Sequence, residues 1–206
     1  KQKTAYVIGV RLVGSEMCIR DRLVILVDED GKLEVLGHQI NKLMTGGLDR
    51  ALASDEFQSL ALGKVLLLSY PAGLKAQGLA IAKLNQGSGV DEVSACGVEI
   101  AKAVECKDIL ILSGEFEKAA NLVEGLALRN YNYLDQKTNT KITTFNLQVM
   151  VQSVEDYVDK INQKLAVVDG VFFTRDLINA PANVLTTNSF AEQLSACLLY
   201  TSPSPR

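Results

Sequence analysis

Residues 78–113 read GLAIAKLNQGSGVDEVSACGVEIAKAVECKDILILS, and this stretch determines the fold class. The segments 79–82 and 108–113 are short, continuous apolar runs, which is typical of strands buried on both faces. The segment 91–104 between them is predicted to be a helix. A strand, a helix and a second strand in this order are typical of a parallel or mixed sheet that is covered by helices.

The same alternation continues outward from this stretch. The other predicted elements are a hairpin over 23–36, a broken helix over 40–52, a strand over 65–68, a helix over 115–134, a strand over 141–151 and a long helix from 154 onward. The hairpin prediction rests on a Gly-containing turn, DEDGK, between an apolar run and an alternating one. The resulting order, ββαββαβαβα, predicts an α/β fold with a largely parallel or mixed sheet between two layers of helices.

The composition excludes several classes of protein. The chain has 206 residues, a formal net charge of −3, 48% hydrophobic residues and four cysteines, so it is not collagen-like, disulfide-rich or largely disordered. No apolar run approaches the roughly 18 to 20 residues that span a bilayer. Arg11 interrupts the only apolar stretch near the start before it could act as a signal peptide. We therefore expect a cytoplasmic protein without a membrane partner, and the absence of basic clusters makes nucleic acid an unlikely partner.

The two ends of the chain share one DNA sequence. The last ten residues, CLLYTSPSPR, can be encoded by TGT CTC TTA TAC ACA TCT CCG AGC CCA CGA. The reverse complement of that DNA, read in another frame, encodes VGSEMCIRD, which is residues 13–21. This DNA resembles the transposase end and adapter of a sequencing library. We therefore predict that 12–22 and 197–206 are translated adapter and that 23–196 is the one natural stretch. Residues 1–11 lie beyond the adapter and come from another fragment or from another part of the same gene, so the region 1–22 as a whole is treated as an artefact.

Few residues of the natural stretch could carry chemistry. His38 is the only histidine, but no positioned nucleophile accompanies it, so a surface histidine is expected. The loop 87–89, Gly-Ser-Gly, could present backbone N–H groups to a phosphate, although it lacks a dinucleotide or Walker pattern. Cys96 and Cys106 have no metal-ligand spacing. We therefore predict no catalytic, cofactor-binding or metal-binding residue in this stretch.

Two motifs carry a resemblance to a known family. Residues 174–186, TRDLINAPANVLT, closely resemble the R-D-L-x-N-x-P-A-N-x-L-T segment of the leucyl (cytosol) aminopeptidase family of dinuclear metallopeptidases. Residues 124–138, EGLALRNYNYLDQKT, are similar to the same family's E-G-x-x-L-x-x-Y stretch. Pro181 within the first motif predicts that the preceding helix ends at or before Ala180 and that a new helix starts near Asn188 or Ser189.

The resemblance implies a fragment of a larger hydrolase. It implies a macro-domain-like N-terminal domain over 23–152, a mixed sheet sandwiched between helices, and then a long linker helix and the truncated start of a catalytic domain over 153–196. The family's catalytic domain holds two divalent metal ions, manganese or zinc, and all of its metal and catalytic motifs lie C-terminal to the P-A-N turn. The intact parent is expected to remove Leu-type N-terminal residues from peptides, as a homo-oligomer that is typically a hexamer.

Two functions remain open for the chain itself. The first is an inactive N-terminal fragment of a metal-dependent aminopeptidase, whose partner is its own missing catalytic domain. On this hypothesis Phe172, Phe173 and Ile178 would lie on an apolar face that the catalytic domain covers. The alternative is a stand-alone macro-like module that binds a nucleotide or ADP-ribose through the loop 87–89.

Overall fold

A computed structural model describes residues 6–12, 22–104, 108–133 and 145–201. In chain order the elements are β1 (Tyr6–Leu12), β2 (Arg22–Val27), α1 (Val35–Leu43), α2 (Gly47–Leu52), α3 (Asp55–Gln58), β3 (Val65–Ser69), β4 (Gly78–Lys83), α4 (Val90–Ala103), β5 (Asp108–Gly114), α5 (Ala119–Arg129), β6 (Phe145–Val151), α6 (Val154–Asn179) and α7 (Thr187–Thr201). None of the described helices is both long enough and apolar enough to cross a membrane.

The strands form one six-stranded mixed sheet in the order β1-β6-β5-β2-β4-β3. All neighbouring strands are parallel except the edge strand β3, which runs antiparallel to β4. The central strand β2 places Ile25 opposite Ile81 of β4 and opposite Leu112 of β5. Because β2, β4, β5 and β6 are parallel, their carboxyl ends meet at one edge of the sheet.

Helices cover both faces of the sheet, which confirms the predicted fold class. Side chains alternate between the two faces of a strand. In β4, Ala80 and Ala82 pack toward the core under α4, α5 and α6, whereas Leu79 and Ile81 pack toward the core under α1, α2 and α3. All four are fully buried, which explains why the run is continuously apolar.

The predicted hairpin over 23–36 is wrong. Its first strand exists as β2, but the chain then turns at Gly31, which has a φ of +76°, and enters α1 instead of a second strand. The Asp28 carboxylate accepts a hydrogen bond of 2.7 Å from the Lys32 N–H and closes this turn. Leu36 and Ile40 are buried one helical turn apart against the sheet. Their helical spacing, which continues through Met44, prevails over the short alternating pattern that suggested a strand.

The other predicted elements agree with the structure apart from their ends. The broken helix over 40–52 is α1 and α2, which are separated at Gly46 with a φ of +76°. The helix predicted from 115 starts at Ala119, because the chain first turns after Gly114, which has a φ of +51°. The strand predicted from 141 is described from Phe145, and positions 134 and 141–144 lie outside the described residues.

The long helix and its end follow the prediction. α6 runs for 26 residues and ends at Asn179, two residues before Pro181, and α7 begins at Thr187. At the other end of the chain, Tyr6–Leu12 forms the edge strand β1, which pairs in parallel with β6. This strand lies within the region 1–22 for which the sequence predicts a foreign origin. That origin stays a prediction.

Candidate functional site

The edge of the sheet where the parallel strands end is the first candidate site. The connection after β2 leads to α1 on one face, whereas the connection after the neighbouring strand β5 leads to α5 on the other face. A crevice between two strands whose connections diverge in this way is where open α/β sheets bind ligands. The loops that border it here are those after β2, β4 and β5.

The exposed side chain of Glu34 lies at this crevice. It lies against Gly114, where an added Cβ would be 3.4 Å from the Glu34 Cδ and would overlap its Oε2. Gln86 Nε2 donates a hydrogen bond of 3.2 Å to Glu34 Oε1, and the backbone N–H of Glu115 also donates to this carboxylate. Partial burial raises the pKa of Glu34, the nearby Glu115 carboxylate raises it further, and the two hydrogen bonds oppose the shift.

The loop 87–89 forms hydrogen bonds to a lysine through its backbone oxygens. Lys118 Nζ donates hydrogen bonds to the backbone oxygens of Ser88, at 2.6 Å, and of Gln86, at 3.3 Å. These bonds turn carbonyl groups of the loop toward the lysine. The structure therefore places the predicted phosphate-binding loop beside the crevice but uses it to bind Lys118.

The surroundings of the crevice are acidic. Burial raises the pKa of Tyr157, and the carboxylates of Glu117, Asp156, Glu34 and Glu115 raise it further, in that order. These four carboxylates would repel an anionic ligand, and the cation described beside them, Lys118, is already hydrogen-bonded to carbonyl groups of the loop. The charges at this edge therefore do not favour a site for phosphate groups.

The other candidate residues are not among the side chains described at the crevice. His38 is on α1 and is exposed. Cys96 is fully buried in α4, and burial, followed by the charges of Glu99 and Glu92, raises the pKa of its thiol to about 12. Cys106 lies outside the described residues. Within the described ranges there is no group of three or more His, Cys, Asp or Glu side chains that could hold a metal ion.

The second candidate site joins the two sequence motifs. Tyr131, from the motif over 124–138, donates a hydrogen bond of 2.8 Å from its hydroxyl to Asp176 Oδ1 and accepts one of 3.0 Å from Asn179 Nδ2, both in the motif over 174–186. The Arg175 guanidinium lies 4.0 Å from the centre of the tyrosine ring, and the Phe172 ring packs against it at 5.2 Å with a tilted geometry. We call these five residues the Tyr131 joint. Motifs that are 45 residues apart in sequence therefore form one cluster.

One further buried polar group, Lys83, was not predicted from the sequence. Lys83 ends β4 and is only 6% exposed. Its Nζ donates hydrogen bonds to the backbone oxygens of Phe57, Gln58 and Leu60, and lies 5.0 Å from the centre of the Phe57 ring. It thus caps the carboxyl end of α3. A lysine at a strand end reads as a solvent-exposed residue, and only the long-range placement of α3 shows its role.

Comparison with known proteins identifies the fold and its relatives. The structure is similar to a tomato leucine aminopeptidase variant, with a TM-score of 0.74 and 19% identity, covering 97% of this chain and 43% of that one. It is also similar to a macrodomain of Oceanobacillus iheyensis with MES bound, with a TM-score of 0.55 and 14% identity, covering 79% of this chain and 91% of that one. The fold is thus macrodomain-like and of the type present in leucine aminopeptidases.

The sequence relatives are more specific. A probable cytosol aminopeptidase of Cereibacter sphaeroides is 35% identical over 175 residues, and one of Dinoroseobacter shibae is 33% identical over the same length. Each match covers 85% of this chain and 36% of the relative, so the chain spans about a third of the length of these proteins. No family model matches. On these relatives and the shared fold, the chain is similar to cytosol aminopeptidases over 85% of its length.

Proposed function

We propose that this chain is a non-catalytic N-terminal part of a leucyl aminopeptidase-like hydrolase, whose parent removes Leu-type N-terminal residues from peptides. The match to cytosol aminopeptidases over 85% of the chain but only 36% of their length carries the proposal. The described residues do not fit a divalent metal ion, since they contain no cluster of metal-binding side chains. We therefore assign the two ions expected in the parent, manganese or zinc, to the remainder of that protein.

The role of the chain in the parent is structural. Ile178 on α6 is 76% exposed, and Val184 and Phe190, which follow it toward and within α7, are 42% and 40% exposed. Three apolar side chains exposed within one short stretch of the sequence, from Ile178 to Phe190, are typical of a surface that another part of a protein covers. The catalytic part of the parent is the proposed occupant, because the relatives have about two thirds of their length outside the matched region.

One residue expected on that face is not part of it. Phe172 is half-buried, packs against the main core and contacts the Tyr131 ring. Its place on an uncovered face was therefore a wrong expectation, because α5 already covers it. Phe173 is also only partly exposed, whereas the exposure of Ile178 agrees with the expectation.

Two measurements test this proposal. The uninterrupted gene should continue past codon 196 into a metal-binding segment of the N-T-D-A-E-G-R type that the family resemblance implies, and its absence would remove the assignment. The 206-residue chain should not cleave a chromogenic leucine substrate in manganese or zinc above a metal-only control. Cleavage above that control would show that the chain is catalytic by itself.

The exposed face predicts self-association of the isolated chain. In sedimentation velocity the chain should form concentration-dependent oligomers, and Ile178→Ser with Phe190→Ser should shift it toward monomer because both apolar side chains are removed. Val35→Ser is the matched control, since Val35 is 74% exposed on α1. An equal shift with the control would assign the association to general hydrophobicity. In the parent we expect a cytoplasmic hexamer, in keeping with the name of the relatives and with the family resemblance.

The alternative function is a nucleotide-binding or ADP-ribose-binding module. A further Oceanobacillus iheyensis macrodomain, described as a mutant with ADPR, shares the fold with a TM-score of 0.52 and covers 79% of this chain. The Glu34 carboxylate in the crevice and the acidic surroundings count against this function. Calorimetry with ADP-ribose should show no binding heat at millimolar ligand, and a saturable signal would favour the module.

A further inference from the structure

We infer that the Tyr131 joint acts as a lock. It holds the carboxyl end of α6 against the rest of the fold and so fixes the direction in which the chain continues into α7. Tyr131 is a positioning residue in this inference, and it does not touch reacting groups. That the lock orients a catalytic part rests on the proposed function. The lock itself rests only on contacts within the described residues.

The need for a lock follows from how α6 is buried. Its buried residues are Tyr157, Ile161 and Val168, and no residue of this described helix after Val168 is buried. The last eleven residues, which end at Asn179, span roughly 16 Å at 1.5 Å per residue. Without buried anchors such a segment opens by local unfolding at low free-energy cost. The contacts that oppose this opening are those to α5 and to Tyr131.

The sequence of the helix end matches the chemistry of one tyrosine. Positions 172, 175, 176 and 179 are spaced so that all four lie on one face of α6. A phenol can donate to the Asp176 carboxylate and accept from the Asn179 amide at the same time, while the ring face accepts the Arg175 guanidinium. This accounts physically for the R-D-x-x-N part of the motif over 174–186. Its residues bind one side chain, Tyr131, of the motif over 124–138.

A short, hydrogen-bonded turn connects the locked end of α6 to α7. The backbone N–H groups of Val184 and Leu185 both donate to the Pro181 oxygen at 2.9 Å. The Ser189 hydroxyl accepts from the Thr186 N–H at 2.9 Å. Because the turn is internally bonded, the direction of α7 follows from that of the last turns of α6. Tyr131 therefore controls the position of the exposed face as well as the helix end.

Hydrogen exchange on the 206-residue chain tests the lock. Tyr131→Phe removes the hydroxyl and both of its hydrogen bonds but keeps the ring. The loss of both hydrogen bonds predicts roughly tenfold faster exchange of amides in 172–185, with no change in 154–165. Tyr157→Phe is the matched control, since its hydroxyl donates to the Phe116 oxygen at 3.2 Å near the start of the same helix. It should accelerate exchange only near 154–161.

Variants at the partner residue separate a specific lock from a general loss of stability. Asp176→Asn keeps an acceptor oxygen and should exchange like the wild type, whereas Asp176→Ala removes one of the two hydrogen bonds and should accelerate exchange in the same segment, but less than Tyr131→Phe. The double variant Tyr131→Phe with Asp176→Ala should add little to Tyr131→Phe, because the bond that Asp176→Ala removes is already lost in Tyr131→Phe. Unchanged exchange at 172–185 in Tyr131→Phe, or an even acceleration along the whole chain, would overturn the inference.

A distance measurement tests the direction of α7. Spin labels at the exposed positions Lys42 and Glu192, in a chain without other reactive cysteines, should give one narrow distance distribution. Tyr131→Phe should broaden it and Tyr157→Phe should leave it narrow. A distribution that stays narrow in Tyr131→Phe would refute the positioning role. Because both experiments use this chain alone, their outcome is independent of the peptidase test of the proposed function.

Discussion

The crossing of α4 and α5 allows a sharp test of the packing. Gly97 on α4 and Gly125 on α5 each face the backbone of the other helix. A Cβ at Gly125 would lie 2.7 Å from the Ser94 carbonyl carbon and would overlap its oxygen, whereas carbon atoms in contact are about 3.5 to 4.0 Å apart. Gly125→Ala therefore requires the two helices to move apart by about 1 Å.

The expected cost is large because backbone atoms cannot rotate out of the way. Overpacking in a core costs about 1 to 3 kcal/mol, and this site should lie at or above the upper end. Alanine has a better helix propensity than glycine, which offsets about 1 kcal/mol of this cost. The net destabilisation is therefore about 2 kcal/mol. Gly170→Ala is the matched control. Gly170 is exposed on α6 with no atom within 4 Å of an added Cβ, so the same change should stabilise by about 0.5 to 1 kcal/mol.

Urea unfolding followed by far-UV circular dichroism measures both changes, and the chain has no tryptophan to serve as a fluorescence probe. With a slope of about 2 kcal/mol/M, Gly125→Ala should lower the midpoint by about 1 M and Gly170→Ala should raise it by about 0.3 to 0.5 M. A midpoint for Gly125→Ala equal to or above the wild type would refute the close crossing. If the urea midpoint changed equally in both variants, helix propensity alone would explain the effect.

Three further predictions concern buried polar groups. Lys83→Met should destabilise the fold by about 2 kcal/mol, because it leaves three backbone oxygens without their donor, whereas Lys64→Met, at a side chain that is 53% exposed, should change little in the same urea titration. A chain whose only cysteine is Cys96 should not react with a thiol reagent at pH 8 until urea unfolds it, since its pKa is raised to about 12; a fast reaction without urea would contradict its burial. Arg22→Leu should raise the thermal midpoint, because the Arg22 Nε is buried without a hydrogen-bond partner; a lower midpoint would show that the guanidinium stabilises β2.

Local patterns were sufficient for most elements of the fold. The apolar runs in β4 and β5 identify strands that are covered on both faces, because only such strands exclude polar residues from both sides. The end of α6 before Pro181 follows from the steric restriction that proline places on the preceding residue. The hairpin failed because Leu33 to Leu36 is too short a window to separate a period of two from a period of 3.6.

The candidate sites could not be predicted to the same extent. The loop 87–89 was found, but its binding partner, Lys118, lies about 30 residues further along the chain. Glu34 was assigned to the second strand of the predicted hairpin, and its contact with Gly114 depends on β2 and β5 being neighbours in the sheet. No local pattern carries such information, since the residues that meet belong to different elements.

The sequence by itself determined the alternation of strands and helices and the end of the long helix, and two motifs carried the resemblance to aminopeptidases. The strands and helices depend on the local backbone preferences and hydrophobic spacing of neighbouring residues. Only the tertiary structure decided what the motifs do. Tyr131 and Asp176 are brought within 2.8 Å by the packing of α6 on α5. Likewise, Glu34 is brought over Gly114 by the strand order, and a strand order depends on contacts between residues far apart in the chain.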